Sequence, residues 1–174
     1  MTASRRIYQG RLVDLHLDEV TLPNGVTIAI EVIRHPGAAA IVAVDADDRV
    51  VLERQYRHAA GGFVLEIPAG KLDGPEDPLA CAQRELQEEA GLVAAEYTYL
   101  GSILTVPGFC DERIHLFLAR QLTVVEQALE HDEVLSLEWV PLRHALEMIR
   151  TGAIEDAKTI AGLHHAATRL IGYR

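Results

Sequence analysis

The chain has 174 residues, of which 49% are hydrophobic and 24% charged, and its formal net charge at pH 7 is −10. This size and composition predict one globular domain with a packed core, with room for a small appendage. The acidic balance argues against nucleic acid or an anionic membrane as the main partner. No apolar run approaches the roughly 20 residues of a membrane-spanning helix, and no signal peptide is recognisable, so we expect a cytoplasmic protein. Neither a disulfide framework nor a zinc site is indicated by Cys81 and Cys110.

Residues 1–37 are predicted to form a small antiparallel β region. Apolar residues alternate before and after Pro23-Asn24-Gly25, which predicts a hairpin over residues 10–34. A two-stranded hairpin is marginally stable on its own, and one this apolar is not expected to stay exposed. We therefore expect this region to pack on another surface. The chain breaks the pattern at His35-Pro36-Gly37 and then enters the main body.

Residues 38–174 are predicted to form the main α/β body, with a flexible loop at 59–62. The predicted strands cover residues 38–44, 50–56, 63–67, 97–104, 114–119 and 134–140. Two late helices are predicted, from Pro141 to Gly152 and over 155–172.

A further helix follows the third strand of the body. Asp77 suits its N-cap, Pro78 its first helical position and Gly91 its left-handed stop. Spacing of i, i+3 and i+4 places three carboxylates on one face of this helix: Glu85, Glu88 and Glu89. A solvated acidic face would cost only about 0.2–0.5 kcal/mol per like-charge pair. In a shared cleft the repulsion would reach about 4 kcal/mol at 4 Å and an effective dielectric of 20, and a hard divalent cation would relieve it.

The segment from residue 70 to 92 resembles the Nudix box, the signature of Nudix hydrolases. Its fixed positions are matched by Gly70, Glu76, Arg84, Glu85, Glu88, Glu89 and Gly91. The resemblance implies a Nudix-type α/β/α sandwich with a mixed sheet for residues 38–174, preceded by the N-terminal β-hairpin region. It also implies a loop–helix–loop that holds divalent cations against a diphosphate.

Features outside the box resemble one Nudix branch, the ADP-ribose pyrophosphatases. They are the N-terminal hairpin, Gln55-Tyr56-Arg57, the segments 65–70 and 154–159, and Pro107, 16 residues after Gly91. One departure is Val106, where the branch usually has a small hydroxyl residue. The resemblance implies Mg²⁺-dependent cleavage of ADP-ribose to AMP and ribose 5-phosphate, with Mn²⁺ as a possible substitute. The alternatives are hydrolysis of another nucleoside diphosphate sugar, such as GDP-mannose, and a non-catalytic nucleotide-sensing module, which the intact glutamates oppose.

The resemblance assigns metal binding to one group of residues and support of the box to another. The implied metal ligands are Glu85, Glu88, Glu89 and the carbonyl of Ala69. Glu76 is expected to brace the loop and Arg84 to pair with Glu88, while Gly70 and Gly91 are structural. The branch also implies a homodimer in which residues 10–34 of one chain pack on the partner and complete its adenine pocket.

The remaining predicted site residues concern the substrate and the general base. Arg57 matches a position that binds the phosphates in the resembled branch. Glu66 matches a position that hydrogen-bonds the terminal ribose in the same branch. Arg54, Pro107 and Gly108 are also predicted to bind the substrate. A metal ion lowers the basicity of the carboxylates that bind it. A general base from a mobile loop, which does not bind the metal, would avoid this loss. We expect Glu133 ahead of Glu112 in this role, with Glu88 as the candidate inside the box.

Overall fold

The computed structural model describes residues 3–129, 131 and 134–172. Its N-terminal part is a three-stranded antiparallel sheet in the order β1-β2-β3, formed by Ala3–Gln9, Asp14–Thr21 and Thr27–Arg34. The predicted hairpin is confirmed, and Gly25 adopts a φ of 86° in its turn. Strand β1 was not predicted, because residues 3–9 lack apolar alternation. Its polar side chains instead contact β2, as in the 2.8 Å ion pair between Arg6 and Asp14.

The main body contains two sheets. The first has the order β7-β4-β9-β8, formed by Ala69–Lys71, Ala38–Ala43, Arg113–Val124 and Leu92–Leu104. It is mixed, because β4 and β9 are parallel whereas the other neighbours are antiparallel. The second sheet has the order β10-β5-β6, formed by Leu135–Pro141, Arg49–Arg57 and Gly62–Glu66.

The body has three described helices: α1 (Pro78–Ala90), α2 (Leu142–Thr151) and α3 (Ala157–Ile171). Helices α1 and α3 pack on the first sheet, whereas α2 packs against α3 and against strands β5 and β10 of the second sheet. Strand β4 alternates between two apolar clusters, as expected for a strand buried on both faces. Ile41 faces the cluster that includes Leu86 of α1, and Val42 faces the cluster that includes Leu163 of α3. The predicted α/β/α sandwich is therefore confirmed.

Some element bounds differ from the sequence prediction. Residues His58–Ala60 form a single turn of 3₁₀ helix where a flexible loop was predicted. Strand β7 was missed because its three residues follow Pro68 directly and pair only with β4. Strands β8 and β9 are longer than predicted because they pair with each other beyond the predicted segments. Their outermost pair is Leu92 of β8 opposite Val124 of β9. None of the described helices combines the length and apolarity that a bilayer crossing requires.

The N-terminal sheet is attached to the loop between β8 and β9. Ile33 donates its amide to the carbonyl of Phe109 at 2.7 Å and accepts from the amide of Asp111 at 3.2 Å. Arg34 also forms a 3.1 Å ion pair with Asp111. The sheet therefore borders the same loop that includes Pro107. The division of the chain at residue 37 into two units stays a prediction.

Candidate active site

One cleft of about 560 Å³ lies between α1, the start of α3 and the ends of β5, β7 and β9. Its acidic lining consists of Glu85, Glu88, Glu89, Glu112 and Asp156. Its basic lining consists of Arg57, Lys71, Arg84 and Lys158. Both the carboxylates and the cations therefore face the same cleft.

Helix α1 supplies three of the carboxylates, and its ends form as the sequence predicts. Asp77 accepts a hydrogen bond from the amide of Leu79 at 2.9 Å, and Gly91 ends the helix with a φ of 61°. An apolar stripe of α1, formed by Ala82, Leu86 and Ala90, packs against β4, so the acidic face lies toward the cleft. Glu85 and Glu89 are only 8% and 3% exposed. A solvated acidic face therefore does not describe these two glutamates.

Arg84 connects the acidic helix to the loop that precedes it. Its Nη1 donates to Glu88 Oε2 at 3.1 Å and to Glu85 Oε1 at 2.5 Å. Its Nε and Nη2 both donate to Glu76, whose second oxygen also accepts the amide of Asp73 at 3.0 Å. These hydrogen bonds lower the pKa of Glu76 to about 2. Arg84 therefore pairs with Glu88, and Glu76 contacts both Arg84 and the backbone of the loop before α1. A bracing role for Glu76 stays a prediction.

Ala69 and Gly70 hold the backbone of β7 against the carboxylates. The amide of Ala69 donates to Glu89 Oε2 at 2.9 Å. A Cβ atom placed on Gly70 would lie 1.8 Å from Glu85 Oε1, far inside van der Waals contact. Glycine at this position is therefore required for the close approach of β7 to Glu85.

The carboxylates of α1 have the donor atoms that a divalent cation needs. These donors are all oxygen atoms, which Mg²⁺ and Mn²⁺ prefer. Within the described part of the chain, no three His, Cys, Asp or Glu side chains are already gathered as a metal centre. Arg84 now supplies the positive charge between Glu85 and Glu88. The donor chemistry fits a hard cation, and the buried carboxyl oxygens of Glu85 and Glu89 are suited to hold one.

The opposite wall of the cleft contains a second charged group. Arg57 donates from Nε and Nη2 to the two oxygens of Glu66 at 2.9 and 2.8 Å. Lys158 Nζ lies 2.5 Å from Glu66 Oε2 and 3.1 Å from Asp156 Oδ2. Burial raises the pKa of Glu66, but the hydrogen bonds from Arg57 and the charge of Lys158 outweigh it and hold the pKa below its ordinary value.

Glu66 is buried behind this wall and does not itself line the cleft, and neither do three other predicted substrate residues: Arg54, Pro107 and Gly108. Side chains alternate along β5, so Arg54 faces away from Arg57. Its guanidinium lies over the ring of Phe63, 4.5 Å from the centroid. Roles for these three residues in substrate binding stay predictions.

The two loop candidates for the base differ in what the structure says of them. Glu112 lines the cleft, where it accepts from Thr105 Oγ1 at 2.7 Å and lies 3.5 Å from Nε2 of His35. Glu133 lies outside the described residues. The choice between them stays open to experiment.

Several residues that line the cleft had no role predicted from the sequence, including Lys71, Lys158 and Gln55. Gln55 shares a strand face with Arg57 and is 6% exposed, and its side-chain oxygen has no hydrogen-bond partner among the described residues. Strand alternation from Arg57 was the signal that could have identified Gln55. Lys71 and Lys158 could have been identified because the sequence contains only these two lysines.

Comparison with known proteins agrees with this geometry. The family described as NUDIX domain matches residues 34–163. The methanol dehydrogenase activator of Bacillus methanolicus is 42% identical over 164 residues, which cover 93% of this chain and 89% of that protein. The ADP-ribose pyrophosphatase of Bacillus subtilis (strain 168) is 38% identical over 165 residues, covering 94% and 89%.

A solved structure described as an ADP compounds hydrolase superposes with a TM-score of 0.85. The match covers 98% of this chain and 93% of that chain at 23% identity, so it shows a shared fold. The family match spans the box, α1 and most of the cleft lining. The chain belongs to the Nudix hydrolase family.

Proposed function

We propose that this protein hydrolyses the diphosphate of ADP-ribose to AMP and ribose 5-phosphate. The observation behind this proposal is the cleft in which buried Glu85 and Glu89 face Arg57 and Lys158. A diphosphate suits such a cleft, because its charged oxygens need cationic partners on every side. Similarity to the ADP-ribose pyrophosphatase of Bacillus subtilis supports this choice among diphosphates.

Mg²⁺ is the proposed cofactor, with Mn²⁺ as a substitute. The residues that would hold it are the carboxylates of Glu85, Glu88 and Glu89 and the carbonyl of Ala69. When bound, a divalent cation neutralises phosphate charge and lowers the pKa of a water molecule. The all-oxygen donor set, with Glu85 and Glu89 buried, supports this assignment.

The protein's own groups have separate tasks in this reaction. Arg84 holds the Glu88 carboxylate, and its bonds to Glu76 set the position of the preceding loop. Arg57 offers N–H groups to phosphate oxygens, since guanidinium geometry matches them. A loop glutamate removes the proton from the attacking water, and the candidates are Glu133 and Glu112. Of these, Glu112 lines the cleft in this structure.

A substrate panel tests the proposed reaction. Purified protein is incubated with ADP-ribose, GDP-mannose and other nucleoside diphosphate sugars at one Mg²⁺ concentration, with EDTA as the control. We expect the highest kcat/KM for ADP-ribose, with AMP as a product and no turnover in EDTA. A preference for GDP-mannose would instead support the alternative substrate. Tight binding without product in Mg²⁺ or Mn²⁺ would indicate a sensing module.

We also propose a homodimer formed through the N-terminal sheet. This region exposes a set of large apolar side chains: Ile7, Tyr8, Leu12, Val13, Val26 and Ile28. Leu12 additionally lines the cleft, so the region borders the site. A cytoplasmic location, where both cysteines would stay reduced, is part of the same proposal.

Light scattering at micromolar concentration tests the dimer. We expect twice the chain mass for the wild type, and a smaller mass for a Val26→Ser/Ile28→Ser variant, because polar groups weaken an apolar interface. Val124→Ser serves as the matched control, because Val124 is highly exposed on the main body. An active monomer would contradict the proposal.

A further inference from the structure

The chain contains only two lysines, Lys71 and Lys158, among 16 Lys and Arg residues. Both lysines line the cleft. Lysines that only aid solubility would be expected on outer surfaces, where this protein uses arginine instead. The placement of its two lysines therefore indicates a role for lysine in the cleft.

Lys158 is largely buried and oriented by two acceptors. Its side chain is 12% exposed and its ammonium contacts Glu66 and Asp156. An ammonium has three donors, so one donor remains for a ligand. Arg57 has five N–H donors and uses two on Glu66, so three remain. One buried carboxylate thus orients two cations whose remaining donors can serve the cleft.

The support for this pair is rigid. Ile67, next to Glu66, donates its amide to Thr159 Oγ1 at 2.9 Å. The same hydroxyl donates to Asp156 Oδ2 at 2.6 Å, which ties the start of α3 to the end of β6. A Cβ on Gly162 would lie 2.9 Å from Ile67 Cδ1, so helix and strand are closely packed. Lys158 is therefore held in place before any ligand arrives.

Glu66 itself has little capacity left for a ligand. Its two oxygens accept three hydrogen bonds from Arg57 and Lys158, and the residue is 3% exposed. A carboxylate engaged in this way is suited to positioning cations, whereas a hydroxyl-binding carboxylate needs an accessible oxygen. This arrangement differs from the ribose contact that the family resemblance implies for Glu66.

We propose that Lys158 binds non-bridging oxygens of the substrate diphosphate together with Arg57, and that Glu66 is the positioning residue for both cations. The identity of the substrate rests on the proposed function. The cationic pair acts on the wall formed by β5, β6 and α3, while the carboxylates of α1 act on the other wall.

Kinetics on single variants provide the first test. Lys158→Met keeps the aliphatic stem and removes the charge, so we expect KM for ADP-ribose to rise at least about tenfold, the effect of losing one charge-assisted hydrogen bond, with a smaller change in kcat. Lys158→Arg should recover part of the loss. Arg150→Met is the matched control, since Arg150 is exposed on α2 and forms an ion pair with Glu147 of the same helix. An unchanged KM in a folded Lys158→Met variant would overturn the proposal.

A double-mutant cycle tests the positioning role of Glu66. Glu66→Gln should raise KM by itself, and Lys158→Met should add less to KM in that background than in the wild type, because the two groups act as one unit. Additive effects on KM would show that Glu66 does not act through Lys158.

Chemical modification of the unmutated protein gives a readout without turnover. Reductive methylation followed by peptide mass spectrometry resolves the two lysines. In EDTA, at an ADP-ribose concentration that calorimetry shows to saturate the protein, we expect slower modification of Lys158 than with the same concentration of adenosine. Equal rates would overturn the proposal even if ADP-ribose is a substrate. Protection of Lys158 without hydrolysis in Mg²⁺ would overturn the proposed reaction and leave the binding role of Lys158 supported.

Discussion

Arg84 binds the carboxylate of Glu76 through two hydrogen bonds, from Nε to Oε1 and from Nη2 to Oε2, both 3.1 Å long. The same guanidinium reaches Glu88 and the carbonyl of Lys71. One side chain therefore connects the loop before α1, strand β7 and the acidic face of α1. The planar, five-donor guanidinium is what makes these simultaneous contacts possible.

Arg84→Lys is expected to lower kcat/KM for ADP-ribose at least about tenfold, because a lysine cannot replace a bidentate contact and its further bonds. The apparent Tm should fall by several degrees, measured by calorimetry. Arg120→Lys is the control, since Arg120 forms an ion pair with exposed Asp48, away from the cleft lining. Wild-type activity in Arg84→Lys would show that the network does not position the carboxylates.

Gly70→Ala is expected to displace Glu85, because the new methyl group would overlap its carboxylate. We expect the Mg²⁺ concentration for half-maximal activity to rise about tenfold or more, on the order of one lost charged contact. Gly62→Ala is the matched control, because a Cβ there meets nothing within 4 Å. A normal Mg²⁺ dependence in Gly70→Ala would contradict the close approach of β7 and α1.

Glu85→Gln and Glu89→Gln should each largely abolish turnover while the fold survives. An amide keeps the shape of the side chain and loses the charge that a hard cation needs. Without Mg²⁺ the Tm of each variant should stay close to that of the wild type, but the rise in Tm that Mg²⁺ causes should shrink. Glu138→Gln, on an exposed site of β10, is the control. Near-normal activity in both variants would refute the metal assignment.

Glu66→Gln should destabilise the protein in a pH-dependent way. The pKa of Glu66 is lowered in the folded protein, so its contribution is present above the ordinary glutamate pKa and is lost as pH falls through the lowered value. At pH 7 we expect a loss of about 1–3 kcal/mol, which is the range for an unsatisfied buried partner. Urea unfolding from pH 7 to pH 3 should show the difference between wild type and variant shrinking. A constant difference would contradict the ion pairs.

Glu133→Gln and Glu112→Gln, made separately, identify the general base. Loss of a true base should reduce kcat at saturating Mg²⁺ by about 10²–10⁴-fold. We expect the larger loss in Glu133→Gln. Wild-type kcat in both variants would place the base within the box, with Glu88 as the first residue to test.

Local sequence was sufficient for α1 and for the hairpin between β2 and β3. An N-cap, a helical periodicity and a left-handed glycine act within a few residues of one another, so Asp77 and Gly91 define the helix ends wherever it packs. The same periodicity places Glu85 and Glu89 on one face. Strand alternation could also have separated Arg54 from Arg57. The two residues are three positions apart, and residues an odd number of positions apart on a strand point to opposite faces.

Long-range contacts were beyond the reach of the sequence. Strands β1 and β7 exist because β2 and β4 pair with them, and neither has a pattern that predicts it. Lys158 and Glu66 are 92 residues apart, and only the packing of α3 against the end of β6 brings them together. Burial then changes the role expected of Glu66, because a carboxylate enclosed with two cations orients them. The sequence specifies the chemistry of each side chain. The burial of that side chain and its contacts with distant residues depend on the folded chain.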